Sequence, residues 1–453
     1  MSFGSAVVVG GSIAGLLSAA ALAPSFEHIT VVDRDELPDG PQHRRGVPQG
    51  TQVHALLAAG QHAMSELLPG LVDDLVAAGG RLVDSPHELA VYGSQGWSGR
   101  APSDAVVVCM RRPALEAVVR RRVRGLPGIE FRRATVTGLS VSRDGSTVNG
   151  AVLRGGDVVT TDLVVDASGR GSKAPVWLEE LGYAAPRDKE LRTFIGYATA
   201  TVRLPADALP EGVSGVVSHP HPGSLRGAAV VPCDNGLHQI AALSMMGADP
   251  GAGRDAFLAH LDAAPTPLVG EIARKAEFLD DISTYRIPGT RRRMWEELDR
   301  RPEGFVAIGD AVMSFNPIYG QGMSVAAVSA RALGETVERA GGQLEGLAQD
   351  FQRAVMPVLD TVFNIVVGVD ALYEGAELDG VERPTPEAVA AGRTAAQLAT
   401  EDAETALALK HLAHWFSPER LTAPSVREKL TAWAAEGREL RFTDPTVIPA
   451  PVG

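Results

Sequence analysis

The chain opens with an apolar run that breaks into small residues and then resumes with a different period: Ala6-Val-Val-Val-Gly10-Gly11-Ser12-Ile-Ala14-Gly15, followed by Leu16, Leu17, Ala20 and Ala21. The Ala-Val-Val-Val run bounded by glycine reads as a buried strand, and the change to helical spacing reads as the start of a helix. Strand, tight turn and helix start together open a βαβ unit, which commits the chain to a parallel sheet covered by helices. Gly10 makes the turn, Ser12 is small enough for backbone to approach a pyrophosphate, and Gly15 lets the helix pack on the strand. Gly11 and Ala14 complete a loop whose amides lie at the positive end of that helix. The strand His28–Val32 then ends in Asp33-Arg34, which sets a carboxylate where a ribose diol would bind.

A second segment answers the first from about three hundred residues away: Gly304-Phe-Val-Ala-Ile-Gly309-Asp310-Ala-Val-Met-Ser-Phe315-Asn-Pro317-Ile-Tyr319-Gly320-Gln321-Gly322-Met323. Phe305–Ile308 has the composition of a buried strand, and a carboxylate at its end needs a partner that a ribose or ribityl hydroxyl would supply. An NAD enzyme with one nucleotide fold has no use for this second glycine-broken helix start, so the two loops together predict FAD. Amides from Gly320 to Met323 offer about half a positive charge to the N1 and O2 edge of a reduced flavin. Pro317 would direct its carbonyl toward the oxygen-carrying face. Arg112, in Met110-Arg-Arg-Pro-Ala-Leu-Glu116, can bond a pyrophosphate bidentately, with Arg34 and Arg45 as weaker candidates.

These motifs, with the Asp162-Leu-Val-Val-Asp-Ala-Ser-Gly-Arg170 turn, resemble the p-hydroxybenzoate hydroxylase-type flavin monooxygenases. Gly46-Val-Pro-Gln-Gly50 and His54-Ala-Leu-Leu57 are most similar to bacterial epoxidases of polyketide and terpenoid pathways. The resemblance implies an α/β chain whose Rossmann-like FAD-binding domain is interleaved with an antiparallel-sheet substrate domain and followed by C-terminal helices. It adds Val136 to the cofactor-binding residues, and NADPH, NADH or a partner flavin reductase as electron source. The implied reaction is epoxidation of an alkene in an apolar polyketide or terpenoid through a flavin hydroperoxide. Aromatic hydroxylation and a non-redox cyclase or isomerase holding FAD as a scaffold are the alternatives. The family's middle turn usually reads Asp-Gly, whereas here it is Asp166-Ala-Ser-Gly-Arg170, a variant similar to flavin halogenases. Those carry a Trp-x-Trp-x-Ile-Pro motif and an early catalytic lysine, and residues 1–172 contain no lysine.

The segments divide into a discontinuous FAD-binding domain (1–85, 106–174 and 285–342), a substrate domain (86–105 and 175–284) and a C-terminal helical region (343–453). At 453 residues the chain has room for about three units at ~150 residues each. Its 55 acidic against 42 basic residues, formally −13, argue against nucleic acid or an anionic membrane. Cys109 and Cys233 stand far apart with no basic leader ahead of the first strand, which points to a reducing cytoplasm. The apolar run between Asp360 and Asp370 is far short of the ~20 residues of a membrane span. His219-Pro-His221 and His411-x-x-His414 lack a third convincing ligand, so no metal is expected. Trp97, Tyr197, Met245, Met246, Phe315 and Tyr319 are candidates to face the substrate, although such residues fill cores by default. Thr385-Pro386 and Ser417-Pro418 read as helix starts, and Ser425 with Glu428 as a capping box.

Overall fold

The computed structural model describes residues 3–251, 253–437 and 443–451. Five parallel strands form one sheet in the order Phe305–Ala307, Leu163–Asp166, Phe3–Val9, Phe26–Asp33, Ile129–Arg133. Ala6, Val7 and Val8 are almost inaccessible. Their unbroken apolar run is what a strand covered on both faces requires. The helix Ile13–Leu22 is buried nearly all round, because it lies between this sheet and the long helix Gly322–Arg339. A Cβ at Gly334 would stand 3.0 Å from the Ala21 carbonyl. Phe3–Val9 sits centrally, so the Gly10 loop, Asp33, Asp166 and Gly309 all emerge at the carboxyl edge of the sheet, where open α/β sheets bind ligands.

A larger mixed sheet is built around the long strand Asp188–Arg203, flanked by His238–Ser244 and Ser283–Arg293, and continues through Arg226–Pro232, Gly215–Ser218 and the Leu89–Gly93, Gly96–Trp97 hairpin. It is not wholly antiparallel as the sequence suggests, since Gly215–Ser218 runs parallel to Leu89–Gly93. Alternation along the strands separates two faces. Tyr197, Ala229, Ala241 and Leu243 join the cluster shared with the parallel sheet. Ala198, Val202, Val230 and Ile240 pack with residues of the helices Arg254–Asp262 and Leu268–Lys275 in a second cluster. Met313–Ser314 pairs with Arg291 and Arg292, which carries the segment after Asp310 from the first sheet onto the second.

After the helix Gly322–Arg339 the chain is mostly helical. Thr385 caps Pro386–Leu398 by accepting from the Ala388 amide at 3.2 Å. The other two starts differ from expectation. Ser417 adopts a left-handed conformation before a short turn of 3-10 helix and caps nothing. The helix Pro424–Glu436 begins one residue before Ser425, whose hydroxyl turns to Glu404 at 2.5 Å. Leu347–Asp370 is one helix long and apolar enough to cross a membrane by length and composition. It contains Pro357, and one of its faces, from Leu347 through Phe351, Leu359 and Val366, is buried against the core.

Candidate functional site

Gly10 has φ +107, and a Cβ there would stand 2.5 Å from the Ala167 carbonyl. A Cβ at Gly15 would collide with the Gly10 carbonyl. The loop is therefore closed tightly, and the helix it starts has no side-chain cap at Ser12 and no acid in its first turn. Its leading amides are left for an anion. The Ser12 hydroxyl is turned elsewhere, donating to Glu116 Oε2 at 2.9 Å and accepting from Arg112 Nη2 at 2.9 Å.

Arg112 begins the helix Arg112–Arg124, and spacing of four residues puts Arg112, Glu116 and Arg120 on one face. All three are buried. Glu116 receives Arg44 at 2.6 Å, Arg120 at 3.2 Å and Arg112 at 3.4 Å. Burial works against its ionisation, but Arg112 and Arg44 outweigh that and hold its carboxyl below the ordinary range. Arg44 also reaches Asp33 Oδ2 at 3.4 Å. Asp33 in turn accepts from the Gly11 amide at 2.7 Å and the Asp35 amide at 2.8 Å. The buried arginine of this loop is thus Arg44; Arg34 and Arg45 are exposed. Val136 is half-buried at the start of the strand Val136–Val141, just beyond Ala134, which donates to the Asp33 carbonyl at 2.9 Å.

The distant segment closes onto this cradle. A Cβ at Gly309 would lie 2.8 Å from Ala14 Cβ, and one at Gly320 would lie 2.7 Å from Ala55 Cβ. Burial raises the Asp310 carboxyl, against the pull of Arg112, Arg170 and Arg291. Arg170 also donates to the Gly289 carbonyl at 2.8 Å and to Ser314 at 2.7 Å. Asp166 accepts from Ser168 and from Ser172, both at 2.5 Å, so the middle turn is internally bound. The helix Gly322–Arg339 has no side-chain cap at Gln321, and Gln321 Oε1 is buried without a hydrogen-bond partner, as is Arg112 Nε. Uncapped amides at both helix starts, orphaned atoms between them and turns that exclude a Cβ fit a dinucleotide laid from Asp33 past Ser12 and Arg112 to Asp310 and Gly322. His54 is bonded to the Gln52 carbonyl at 2.9 Å and lies on the Arg112 side. Burial first and Arg112 second bring its imidazole down to about 4.

Tyr197, Met245, Phe315 and Tyr319 come together beside the second segment. Trp97 is not with them. It belongs to the cluster on the other face of the large sheet, its indole donating to the Asp444 carbonyl at 3.0 Å. The sequence reading missed the acid at the centre of the group. Asp370, at the end of the helix Leu347–Asp370, accepts from Tyr319 Oη at 2.6 Å and from Asn316 Nδ2 at 2.9 Å. Burial raises its carboxyl to about 6, with the Tyr319 and Asn316 hydrogen bonds opposing. Burial also holds the Tyr197 and Tyr319 phenols well above their usual value. A cleft of about 270 Å³ opens between the loop 41–51 and the large sheet, walled by Thr199, Thr201, Gln239 and Asp280, and none of Tyr197, Met245, Phe315, Tyr319 and Asp370 lines it. Among the described residues no group of three or more His, Cys, Asp or Glu is arranged to hold a metal. His414 instead accepts from the Ala58 amide at 3.2 Å.

No protein-family model matches the chain. Protein Rv3254 of Mycobacterium tuberculosis is 33% identical over 364 residues, covering 77% of this chain and 76% of that one. The chain belongs to the family of Protein Rv3254. A kynurenine 3-monooxygenase of Salinispora tropica is 27% identical over 339 residues, 71% of this chain and 69% of its own. Among solved structures, PqsL of Pseudomonas aeruginosa, described as a probable FAD-dependent monooxygenase, superposes with a TM-score of 0.63 at 18% identity, covering 82% of this chain and 96% of that one. The flavin-dependent brominase Bmp2 gives 0.60 at 17% identity, covering 94% and 92%. This chain shares its fold with both of these solved structures.

Proposed function

We propose that the chain is an FAD-dependent monooxygenase that transfers one oxygen atom to an alkene of an apolar polyketide or terpenoid. The observation that carries the reading is the approach of Gly309 to Ala14 and of Gly320 to Ala55, which brings two remote helix starts to one site. In this reading Asp33 receives the adenosine ribose, Arg112 and the Ser12 loop amides receive the pyrophosphate, and Asp310 receives the ribityl chain. Gly10, Gly11, Ala14 and Gly15 hold the loop, and Pro317, Gly320, Gln321, Gly322 and Met323 meet the ring. Bound flavin supplies the activation of dioxygen. The amides at Gly322 and Met323 stabilise negative charge on the ring edge, while Tyr197, Met245 and Phe315 exclude water from the substrate. The electron donor is NADPH, NADH or a partner reductase.

Hydroxylation of a phenol is the second reading, favoured by the Tyr319–Asp370 pair, whose carboxyl titrates at about 6 and suits general base work. The bacterial kynurenine 3-monooxygenase relatives and PqsL, solved with 2-aminobenzoylacetate, point the same way. Flavin-loaded protein is incubated with polyene and phenolic candidates, a reductant and labelled dioxygen, and the product is weighed. One labelled oxygen added across an alkene supports the epoxidase. A labelled phenol supports the hydroxylase. Turnover that persists without oxygen and reductant sinks both and leaves the cyclase.

A further inference from the structure

Alternate residues of the strand Asp188–Arg203 point the same way, so Tyr197, Thr199 and Thr201 share one face of the large sheet. Register orders that face in rows: Tyr285–Tyr197–Leu243, then Ser283–Thr199–Ala241, then Thr201–Gln239. The first row belongs to the apolar group with Phe315 and Tyr319. Ser283, Thr199, Thr201 and Gln239, from the next two rows, wall the 270 Å³ cleft. At ~3.3 Å per residue, the cleft therefore begins about 7 Å along the sheet from Tyr197. Gln52 lies across the middle row, accepting from Thr199 Oγ1 at 2.8 Å and donating to the Ser283 carbonyl at 3.1 Å. The segment that carries it runs from Gly50 and Thr51 on the cleft wall to Ala55 against Gly320. Cleft and ring end are thus neighbours on one sheet face, with one carboxamide between them.

The cleft differs from the ring end in polarity. Thr201 and Gln239 are only 4% and 5% exposed. The Thr201 amide donates to Asp280 at 2.7 Å and Gln239 Nε2 to the Thr51 carbonyl at 3.4 Å. Thr201 Oγ1 and Gln239 Oε1 have no hydrogen-bond partner among the described residues, and neither atom is sealed from the cleft. Enclosed polar atoms of this kind call for a partner. Arg111 also lines the cleft, but its charge is already met by Asp234 at 2.6 Å. Asp280 and Asp281 stand exposed on the same wall and repel an anion. Exposed carboxylates hold a cation only weakly, so the enclosed neutral atoms decide what binds. The volume is near the ~300 Å³ lower bound of small-molecule pockets, enough for a head group and too small for a whole polyketide. We propose that this cleft is the head-group subsite of the substrate: it takes an uncharged, hydroxyl-bearing end, and the apolar remainder passes Gln52 toward Tyr197 and Phe315. The proposal rests on the oxygenase reading above and narrows its substrate to one with hydroxyls gathered at one end.

The test uses the flavin-loaded protein and three probes with one octyl tail: octyl glucoside, octyl glucuronide and octyl 6-amino-6-deoxyglucoside, each below its micelle-forming concentration. Binding is followed by calorimetry and by the flavin's visible spectrum. The glucoside is expected to bind about tenfold more tightly than the glucuronide and to perturb the spectrum through its tail. Thr201→Val combined with Gln239→Leu should weaken the glucoside by about tenfold or more, the worth of roughly two neutral hydrogen bonds. A glucoside that binds no better than the glucuronide, or that binds the double variant as well as the wild type, overturns the subsite. Tightest binding of the amino sugar does the same, since it would make the exposed carboxylates the ligand's partners. Glucoside binding that leaves the flavin spectrum unchanged overturns the assignment of the cleft to the substrate. Should the double variant fail to fold, carbodiimide and glycinamide labelling of wild-type Asp280 and Asp281, read by peptide mass, decides: the glucoside slows it several-fold, and unchanged labelling overturns the proposal. Calorimetry and labelling need no flavin signal, so a wild-type protein that holds no FAD would remove the oxygenase reading while the cleft is still judged.

Discussion

At the nucleotide end of the site the residues are tied to one another before any ligand arrives: Asp33 to the Gly11 amide, Ser12 to Glu116, and Glu116 to Arg44, Arg112 and Arg120. At the ring end the polar groups wait. Asp310 has no hydrogen-bond partner among the described residues, and Gln321 Oε1 is orphaned. The first end draws on the parallel sheet and the helix Arg112–Arg124; the second draws on the large sheet and on helices beyond residue 343. Under the proposed function, a preorganised nucleotide end would fix where the cofactor lies, and a ring end with unspent polar groups would leave them for substrate and flavin.

The comparison breaks most completely at Gly15. A valine there must displace the Gly10 carbonyl, so Gly15→Val should give a protein with no bound flavin at all, measured as the visible absorbance of the purified chain. Retention of stoichiometric flavin would show that the turn is not the cofactor's seat.

Glu116→Ala tests whether the nucleotide end is self-supporting. It strands three buried guanidinium groups, and breaking such a network costs roughly 3–5 kcal/mol. Urea unfolding of the flavin-free protein should fall by that amount. Added FAD should raise the melting temperature more in the variant than in the wild type, because its pyrophosphate replaces the missing negative charge. An equal shift in both would mean that the arginines do not meet the phosphates.

At the ring end, Asp370 carries the pH dependence. Its carboxyl is raised from 3.8 to about 6 by burial, so the folded state binds the extra proton between those values. The stability this confers is complete below about pH 4 and is lost as pH rises through 6, an amount of roughly 2–3 kcal/mol. Asp370→Asn should flatten the unfolding free energy over that window. It should also alter the flavin spectrum by releasing Asn316 and Tyr319. If the pH profile of the variant matches the wild type, the acid does not titrate in this range.

These ends differ in how far the linear chain discloses them. The nucleotide end is spelled locally: a strand, a glycine turn and an acid in fixed order need no knowledge of the rest of the fold. Even the Glu116 network leaves a trace, since Arg112, Glu116 and Arg120 recur at helical spacing. The choice of Arg44 over Arg45 leaves none. The two are adjacent in a loop without period, and Glu116 decides which is drawn inward. Asp370 could have been noticed as an acid on the same helix face as Phe363, Val366 and Val367. Its partners Asn316 and Tyr319 lie about fifty residues earlier, and only packing joins them. Trp97 was misjudged because alternation along a strand says that two faces exist without saying which one meets the flavin.

That last point yields the smallest effect and a clean control. Trp97 packs edge-on against Tyr92 at 5.1 Å and donates to the Asp444 carbonyl, on the sheet face turned away from Tyr197 and Tyr319. Trp97→Phe keeps an aromatic ring in the cluster but gives up the hydrogen bond and part of the volume, for a loss of roughly 1–2 kcal/mol. Thermal unfolding should register it, while flavin content and the KM for substrate stay as in the wild type. Tyr197→Phe, on the opposite face of the same sheet, removes only an unbonded hydroxyl and should leave stability nearly untouched while moving KM. If Trp97→Phe is the variant that moves KM, the faces have been assigned the wrong way round, and the substrate lies under the C-terminal segment near Asp444 instead of beside Asp370.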